Sequence, residues 1–525
     1  MKMKSILVSM LAVAALASCN KEDGAGVNPD PVLSGDNAYL SLAINAAAPS
    51  TFAESGPADQ NGSAVESKAS KVMVVCLQGT NIKNVVTFVD GDAELGTIGM
   101  NGTAAVAGDA FKVSKDVDGV FVIINPTSDI EDQVNAATTY AAMNAIIPSS
   151  TVDDITGVAS ITQDNEFLMT GAGELDTTSK TDETKGIVSV TPTLAASESD
   201  TDIAAAKMAA KAAPAVVKVD RAMAKVKLDE FKGTVGNGAT ASLDGFKLNT
   251  TNKVFYLYAD LVDYIVPVGN TAAKYRQDPN FSYTAASYAT DFNWMHNPDA
   301  YTDWKTAGNE EYCFENTMSA DAQNYNNTTK MLIKAKFAPK GVTLGDSWFR
   351  MNGIVYTLVQ LQEIYNDSNT AATTKAYMDE FYTAMKAANS AMTATGFASL
   401  TIAELDAVSN GGYVASKIKT ADKSYLIEYF QKSVCYYDVN LKHDNRVEAK
   451  LLGRWGVVRN NAYTLNITKI SQPGKPYIPD PTDPEITDPE NPDPDQPTPD
   501  DETSAYISVE ITVNPWTAWT QETEL

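Results

Sequence analysis

One β-strand is spelled twice in this chain, once near each end. The first copy is Ala38-Tyr39-Leu40-Ser41-Leu42-Ala43-Ile44-Asn45, and the second is Ala505-Tyr506-Ile507-Ser508-Val509-Glu510-Ile511-Thr512. Ala, Tyr, Ser and Ile recur in register, and the remaining inward pairs are Leu with Ile and Leu with Val. A strand repeats every two residues, so each copy is expected to carry Ala and three aliphatics on one face and a mostly polar opposite face. A chain with two interchangeable strands can lose one and accept the other from a neighbour, and repetition of that step builds a polymer.

The ends carry further instructions. Lys2 and Lys4 precede the apolar run Ile6 to Leu16, and Leu16-Ala17-Ser18 is a small-residue cleavage site, so residues 1–18 read as a secretory signal peptide. That run is too short to span a bilayer. Leu-Ala-Ser-Cys resembles a bacterial lipobox, which implies lipidation of Cys19; several acyl chains at about 0.8 kcal/mol per buried methylene would hold the precursor on the outer membrane. The alternative is an ordinary signal peptide that happens to contain a cysteine. Asn20-Lys21-Glu22-Asp23 is similar to the export tag of Bacteroidales surface lipoproteins.

At 525 residues the chain is too long for one core. Residues 19–70 read as a lipidated tether carrying a removable first strand at 38–46. Residues 71–215 and 216–470 read as two β-sandwich domains, 471–504 as a Pro/Asp spacer and 505–525 as a C-terminal strand. Short strands separated by turn residues favour sandwiches over a parallel sheet. Expected strands include Lys71 to Leu77, Val120 to Asn125, Val216 to Leu228 with a phase shift near Arg221-Ala222, Val254 to Leu261, Tyr436 to Leu441 and Tyr463 to Ile467. Expected helices are Ala136 to Ile147, Thr201 to Ala213 and Thr373 to Met392. The last has an apolar face of Tyr377, Met378, Phe381, Tyr382, Met385 and Ala388. In Pro473 to Pro499, proline extends the backbone and carboxylates repel; some thirty residues at about 3.1 Å each reach on the order of 90 Å.

A formal net charge of −26 argues against a nucleic-acid partner, whose phosphates require basic patches. Cys76, Cys313 and Cys435 sit in apolar runs and read as buried free thiols. His296 and His443 are the only histidines, neither with a second ligand at metal spacing, and both read as surface residues. Neither catalytic residues, a metal site nor a cofactor is expected. Trp294, Trp304 and Trp348 could line a glycan groove or close a β-core.

Four segments taken in order resemble the fimbrillins of Bacteroidales type V pili, in particular the major structural subunits of short (minor) fimbriae. They are the lipoprotein start, Val217-Lys218-Val219-Asp220-Arg221-Ala222-Met223-Ala224-Lys225, Gly456-Val457-Val458-Arg459-Asn460-Asn461-Ala462-Tyr463, and the spacer followed by Val509 to Trp516. The resemblance implies a mainly β chain of two transthyretin-like sandwich domains with inserted helices, and polymerisation by strand exchange with identical and accessory pilus subunits. It also implies a protease that removes the first strand, after which the C-terminal strand of another subunit fills the groove. Ala38, Leu40, Leu42 and Ile44 would then be replaced by Ala505, Ile507, Val509 and Ile511, with Val513 extending the contact. Family members are cut after an Arg, yet the first Arg here is Arg221; Lys68 is the only basic residue between Ala47 and Ser70 and is the candidate processing residue. Retention of the strand would make the chain a lipid-anchored base subunit. A monomeric glycan-binding surface lipoprotein and a surface hydrolase are the remaining readings.

Overall fold

In a computed structural model of the chain, the structure describes residues 37–46, 66, 68–99, 104–145, 147–148, 166–172, 186–266, 271–282, 292–293, 295, 303–323, 327–418, 427–444, 446–448, 450–478 and 507–515. The signal peptide, Cys19, most of the spacer and Ala505 lie outside them. The described architecture is mainly β, with helices added at the edges.

The first core forms between two sheets. The larger has the order β2 (Leu42–Ala46), β10 (Ala215–Arg221), β7 (Met169–Gly171), β6 (Gly119–Ile124), β3 (Lys71–Gln78) and β4 (Asn81–Val89), with β8 (Val188–Ser189) beside β6. The smaller places β1 (Ala38–Leu40) between β9 (Thr193–Leu194) and β5 (Phe111–Val113). β3 and β6 are unbroken apolar runs because they are covered on both faces. Helix α1 (Ser128–Ala136) supplies part of that cover through Ile130 and Val134, one helical turn apart. Thr127 caps it by accepting from the Ile130 N–H. The helix expected over Ala136 to Ile147 is therefore displaced towards the N-terminus; only the single turn Tyr140–Met143 lies in that range, opened by Thr139.

β10 belongs to this first sheet, so the first unit extends past the boundary expected between 215 and 216. The crossover comes at Ala222, where the phase shift falls. β11 (Met223–Leu228) then enters a second sheet of order β12 (Thr234–Val235), β20 (Asn461–Ile470), β11 and β14 (Glu310–Phe314), with β21 (Ile507–Pro515) also paired to β20. Opposite it stand β13 (Thr240–Asn249), β15 (Lys330–Ala338) and β19 (Val434–Asn440). Together these sheets enclose the second core, which includes Cys313, Cys435, Trp348 and Tyr463.

Between β15 and β19 the chain builds a third core of its own. β16 (Trp348–Met351), β17 (Ile354–Tyr356) and β18 (Ile427–Phe430) form a small sheet. Helices α3 (Leu358–Asn366) and α4 (Ala372–Ala388) pack Leu361, Tyr377, Met378, Phe381 and Met385 against it. Ala388, expected on that apolar face, is exposed at the helix end. A reciprocal capping box between Thr357 and Gln360 opens α3. Trp348 is stacked flat on Phe430, with ring centroids 3.9 Å apart, so this tryptophan closes a β-core. Trp294 and His296 lie outside the described residues.

Candidate functional site

The segment from Ala38 to Ala46 is held on all sides. β1 pairs antiparallel with both neighbours, Ala38 opposite Leu194 and Val113, Leu40 opposite Phe111. β2 runs parallel to β10, with Leu42 opposite Ala215 and Ile44 opposite Val217. Its other edge is also bonded: the Gly108 N–H donates to Leu42 O at 3.1 Å, Gly99 N–H to Ile44 O at 2.8 Å, and Ala46 N–H to Gly99 O at 2.9 Å. Ala38, Leu40, Leu42 and Ile44 all lie in the first core.

Two features of this segment differ from the sequence expectation. It is two strands in two different sheets, switching at Ser41. Its second face is also buried. Ser41 is 1% exposed, its hydroxyl donating to Gly108 O at 2.7 Å while its carbonyl accepts from the Ala215 N–H at 2.9 Å. Tyr39 packs against Ala110 and against Ala206 and Ala210 of α2 (Asp200–Ala212), with the Lys207 ammonium 5.2 Å from its ring centroid. The amphipathic alternation suggested an exposed polar face; α2 and the 104–110 segment cover it instead.

The next described residue along the chain, Glu66, reaches into the charged seam between the first and second cores. Its carboxylate lies 3.2 Å from Lys225 Nζ and accepts the Tyr312 hydroxyl at 2.7 Å, while its carbonyl accepts from Arg221 Nε at 3.0 Å. Burial lowers the Arg221 guanidinium to about 10, and the nearby Glu66 charge opposes that shift. Asp220, from the same strand, pairs with Arg276 at 2.6 Å and accepts from the Asn460 side chain at 3.1 Å. Arg459 pairs with Glu315 at 2.5 Å and donates to Leu257 O and Tyr256 O. Two of the four sequence segments that carry the resemblance thus meet through Asp220 and Asn460. Lys68 lies just beyond Glu66, half exposed, 2.9 Å from Glu166, with its carbonyl accepting from the Asn125 side chain at 2.7 Å.

At the other end, β21 runs antiparallel to β20 from Ile507 opposite Ile470 to Pro515 opposite Asn461, with one bulge between Ile467 and Lys469. Ile507, Val509 and Ile511 lean half-buried on the second core, and Glu510 faces water. Val513 pairs with Tyr463. The two copies of the repeated strand therefore occupy different cores within one chain. The spacer also begins later than residue 471: Lys475 and Tyr436 exchange both backbone hydrogen bonds, and Ile478 is fully buried.

His443 is buried, contrary to its reading as a surface residue. The Tyr463 hydroxyl oxygen accepts from the Val458 N–H at 2.9 Å and shares a hydrogen bond with His443 Nδ1 at 2.9 Å, its direction set by the imidazole tautomer. Burial drives the imidazole down to about 4, leaving it neutral. Cys76, Cys313 and Cys435 are buried free thiols, all pushed up by burial, Cys76 and Cys435 to about 12. Among the described residues no group of acidic, His or Cys side chains could hold a metal ion, and no helix is long and apolar enough to cross a membrane.

Residues 428–522, which contain β19, β20 and β21, match the family model described as "Major fimbrial subunit protein type IV, Fimbrillin, C-terminal". The match is to a fimbrial structural subunit rather than to an enzyme. No curated protein sequence matches the chain. Among solved structures, a candidate cell adhesion protein from Parabacteroides distasonis is 13% identical, covering 93% of this chain and 99% of its own, with a TM-score of 0.42. A fimbrilin from Porphyromonas gingivalis is 14% identical over 93% of this chain and 100% of its own, with a TM-score of 0.40. The tip fimbrial protein Mfa3 of the same organism is 11% identical over 91% and 100%, with a TM-score of 0.33.

Proposed function

We propose that this chain is a structural pilin subunit that is exported as a lipoprotein precursor, lipidated at Cys19, and polymerises by strand exchange into adhesive surface fimbriae. Removal of β1 and β2 opens a groove in the first core. The strand Ala505 to Val513 of an identical subunit then fills it, with Ala505, Ile507, Val509 and Ile511 in the places of Ala38, Leu40, Leu42 and Ile44.

The observation that supports this reading most is the seating of the repeated segment. All four inward side chains of the first copy are core residues. Burying a Leu or Ile contributes about 1.5–3 kcal/mol, so an empty groove is costly and a matching strand is favoured. Backbone ladders on both edges of β2 add affinity that does not depend on side-chain identity, as in other strand-addition complexes.

A second reading, the lipid-anchored base subunit, is favoured by the absence of any Arg before Arg221. The N-terminus of subunits sheared from the cell surface decides between them. A new terminus between Ala47 and Lys71 supports the stalk subunit. A terminus still at lipidated Cys19 in all surface material supports the base. Deleting 505–525 should abolish fibres and leave a folded monomer; fibres that persist would remove strand exchange altogether.

A further inference from the structure

On the strand-exchange reading, we infer that the groove recognises a second copy of this chain at two polar-edged subsites, one for Tyr506 and one for Ser508, and that these fix the register of the incoming strand. Aliphatics alone do not fix it. Ile507, Val509, Ile511 and Val513 recur every second residue, so a slip of two places keeps an apolar face against the core.

The two subsites are visible because Tyr39 and Ser41 of the chain's own first strand occupy them. The tyrosine socket is made by small residues, Ala110 with Ala206 and Ala210 of α2, and the Lys207 ammonium over the ring adds an attraction that an aliphatic would not receive. The serine subsite lies where the strand leaves one sheet for the other. It requires a small side chain with a proton to donate to Gly108 O. Position 108 admits only glycine, because a Cβ there would stand 1.8 Å from Glu94 O.

In the matched register Tyr506 and Ser508 take these positions. A slip of two in one direction puts Glu510 against the Gly108 carbonyl, acceptor facing acceptor, and Ser508 in the tyrosine socket. A slip in the other direction forces Tyr506 into the serine site. In the matched register Glu510 takes the place of Ala43. Ala43 is 8% exposed but pairs with Val216, which is 55% exposed, so a side chain as long as glutamate extends from there towards the rim.

The test uses full-length chains assembled into fibres on cells. In the matched register Ala505 of one subunit stands opposite Leu194 of the next, as Ala38 does now, and Leu194 is exposed. Disulfide trapping with Ala505→Cys plus Leu194→Cys should give a ladder of covalent oligomers on a non-reducing gel. Adding Tyr506→Leu or Ser508→Val should reduce that ladder about tenfold or more, and a slipped pair, Ile507→Cys plus Leu194→Cys, should gain. Equal ladders with and without the Tyr506 and Ser508 changes would overturn the register inference and leave strand exchange standing. Fibres with no ladder, which also survive deletion of 505–525, would overturn both. Circular dichroism of the secreted monomers checks that the changes leave the fold intact.

Discussion

Arg221 donates its Nε–H to the main-chain oxygen of Glu66 at 3.0 Å, joining residues 155 positions apart in the chain. Glu66 also sets its carboxylate beside Lys225, and all three residues are almost wholly buried. Arg221 and Lys225 of the 217–225 segment thus depend on a residue that lies between β2 and β3 in the chain.

Replacing Glu66 by Ala should therefore destabilise the chain by about 3–5 kcal/mol, because it removes one member of a buried charged cluster. Calorimetry of the full chain should show a melting transition lowered by roughly 10 °C. An unchanged transition would mean that the carboxylate is dispensable. A chain cut after Lys68 loses Glu66, so that product should melt below one cut upstream of it.

Acid should destabilise the second core through His443. Its folded value, about 4, lies below the ordinary 6.5, so the unfolded chain binds the proton more readily. The stabilising contribution is complete above pH 6.5 and is lost as pH falls towards 4. By pH 4.5 the loss is about 2–3 kcal/mol at 1.36 kcal/mol per unit. Urea unfolding at pH 7 and pH 4.5 should show this difference shrink in His443→Gln, whose amide can still share a hydrogen bond with the Tyr463 hydroxyl. An equal acid loss in the variant would assign it to other groups.

Gly108→Ala should loosen the seat of the first strand. The added Cβ collides with Glu94 backbone and would displace the carbonyl that Ser41 donates to. Overpacking of this kind costs about 1–3 kcal/mol, here concentrated at one site. Hydrogen exchange should quicken at Ala46 and Gly99, whose amides bond across that edge, and stay constant in β3. Uniform exchange rates would show that the loop adapts freely.

Val509→Asp should release β21 from its own domain without unfolding it. Val509 stands opposite Ile467 and is half-buried, so a carboxylate there is poorly solvated. Fibre yield should fall sharply, while the monomer's melting temperature moves by only a few degrees. A monomer that fails to fold would make β21 part of the essential core.

Much of the fold was legible where one local rule sufficed. β3 and β6 are continuous apolar runs bounded by turn residues, and α4 shows its buried face in the spacing of Tyr377, Phe381 and Met385. The break at Ser41 was not legible, because the alternation runs through it without interruption. The switch is imposed by Gly108 and Ala215, which are distant in sequence. Glu66 was one acid among 66, and nothing local marks it as buried. His443 sits among charged neighbours that suggest a surface; its burial comes from Tyr463 and the strand pairing around it. The displaced α1 shows a cap overriding composition: Thr127 starts the helix before the Ala/Met-rich stretch is reached.

The bonding of β2 along both edges has a mechanical consequence. A strand held at one edge and pulled from its end can peel away, one bond after another. A strand gripped by β10 on one side and by Gly99 and Gly108 on the other, and tugged along its own length, must break both rows together. With Cys76, Cys313 and Cys435 all unpaired, no disulfide among them shares the load. Tensile strength at this seat is then a matter of shear across many weak bonds, so it should depend on loading rate rather than on any single covalent tie.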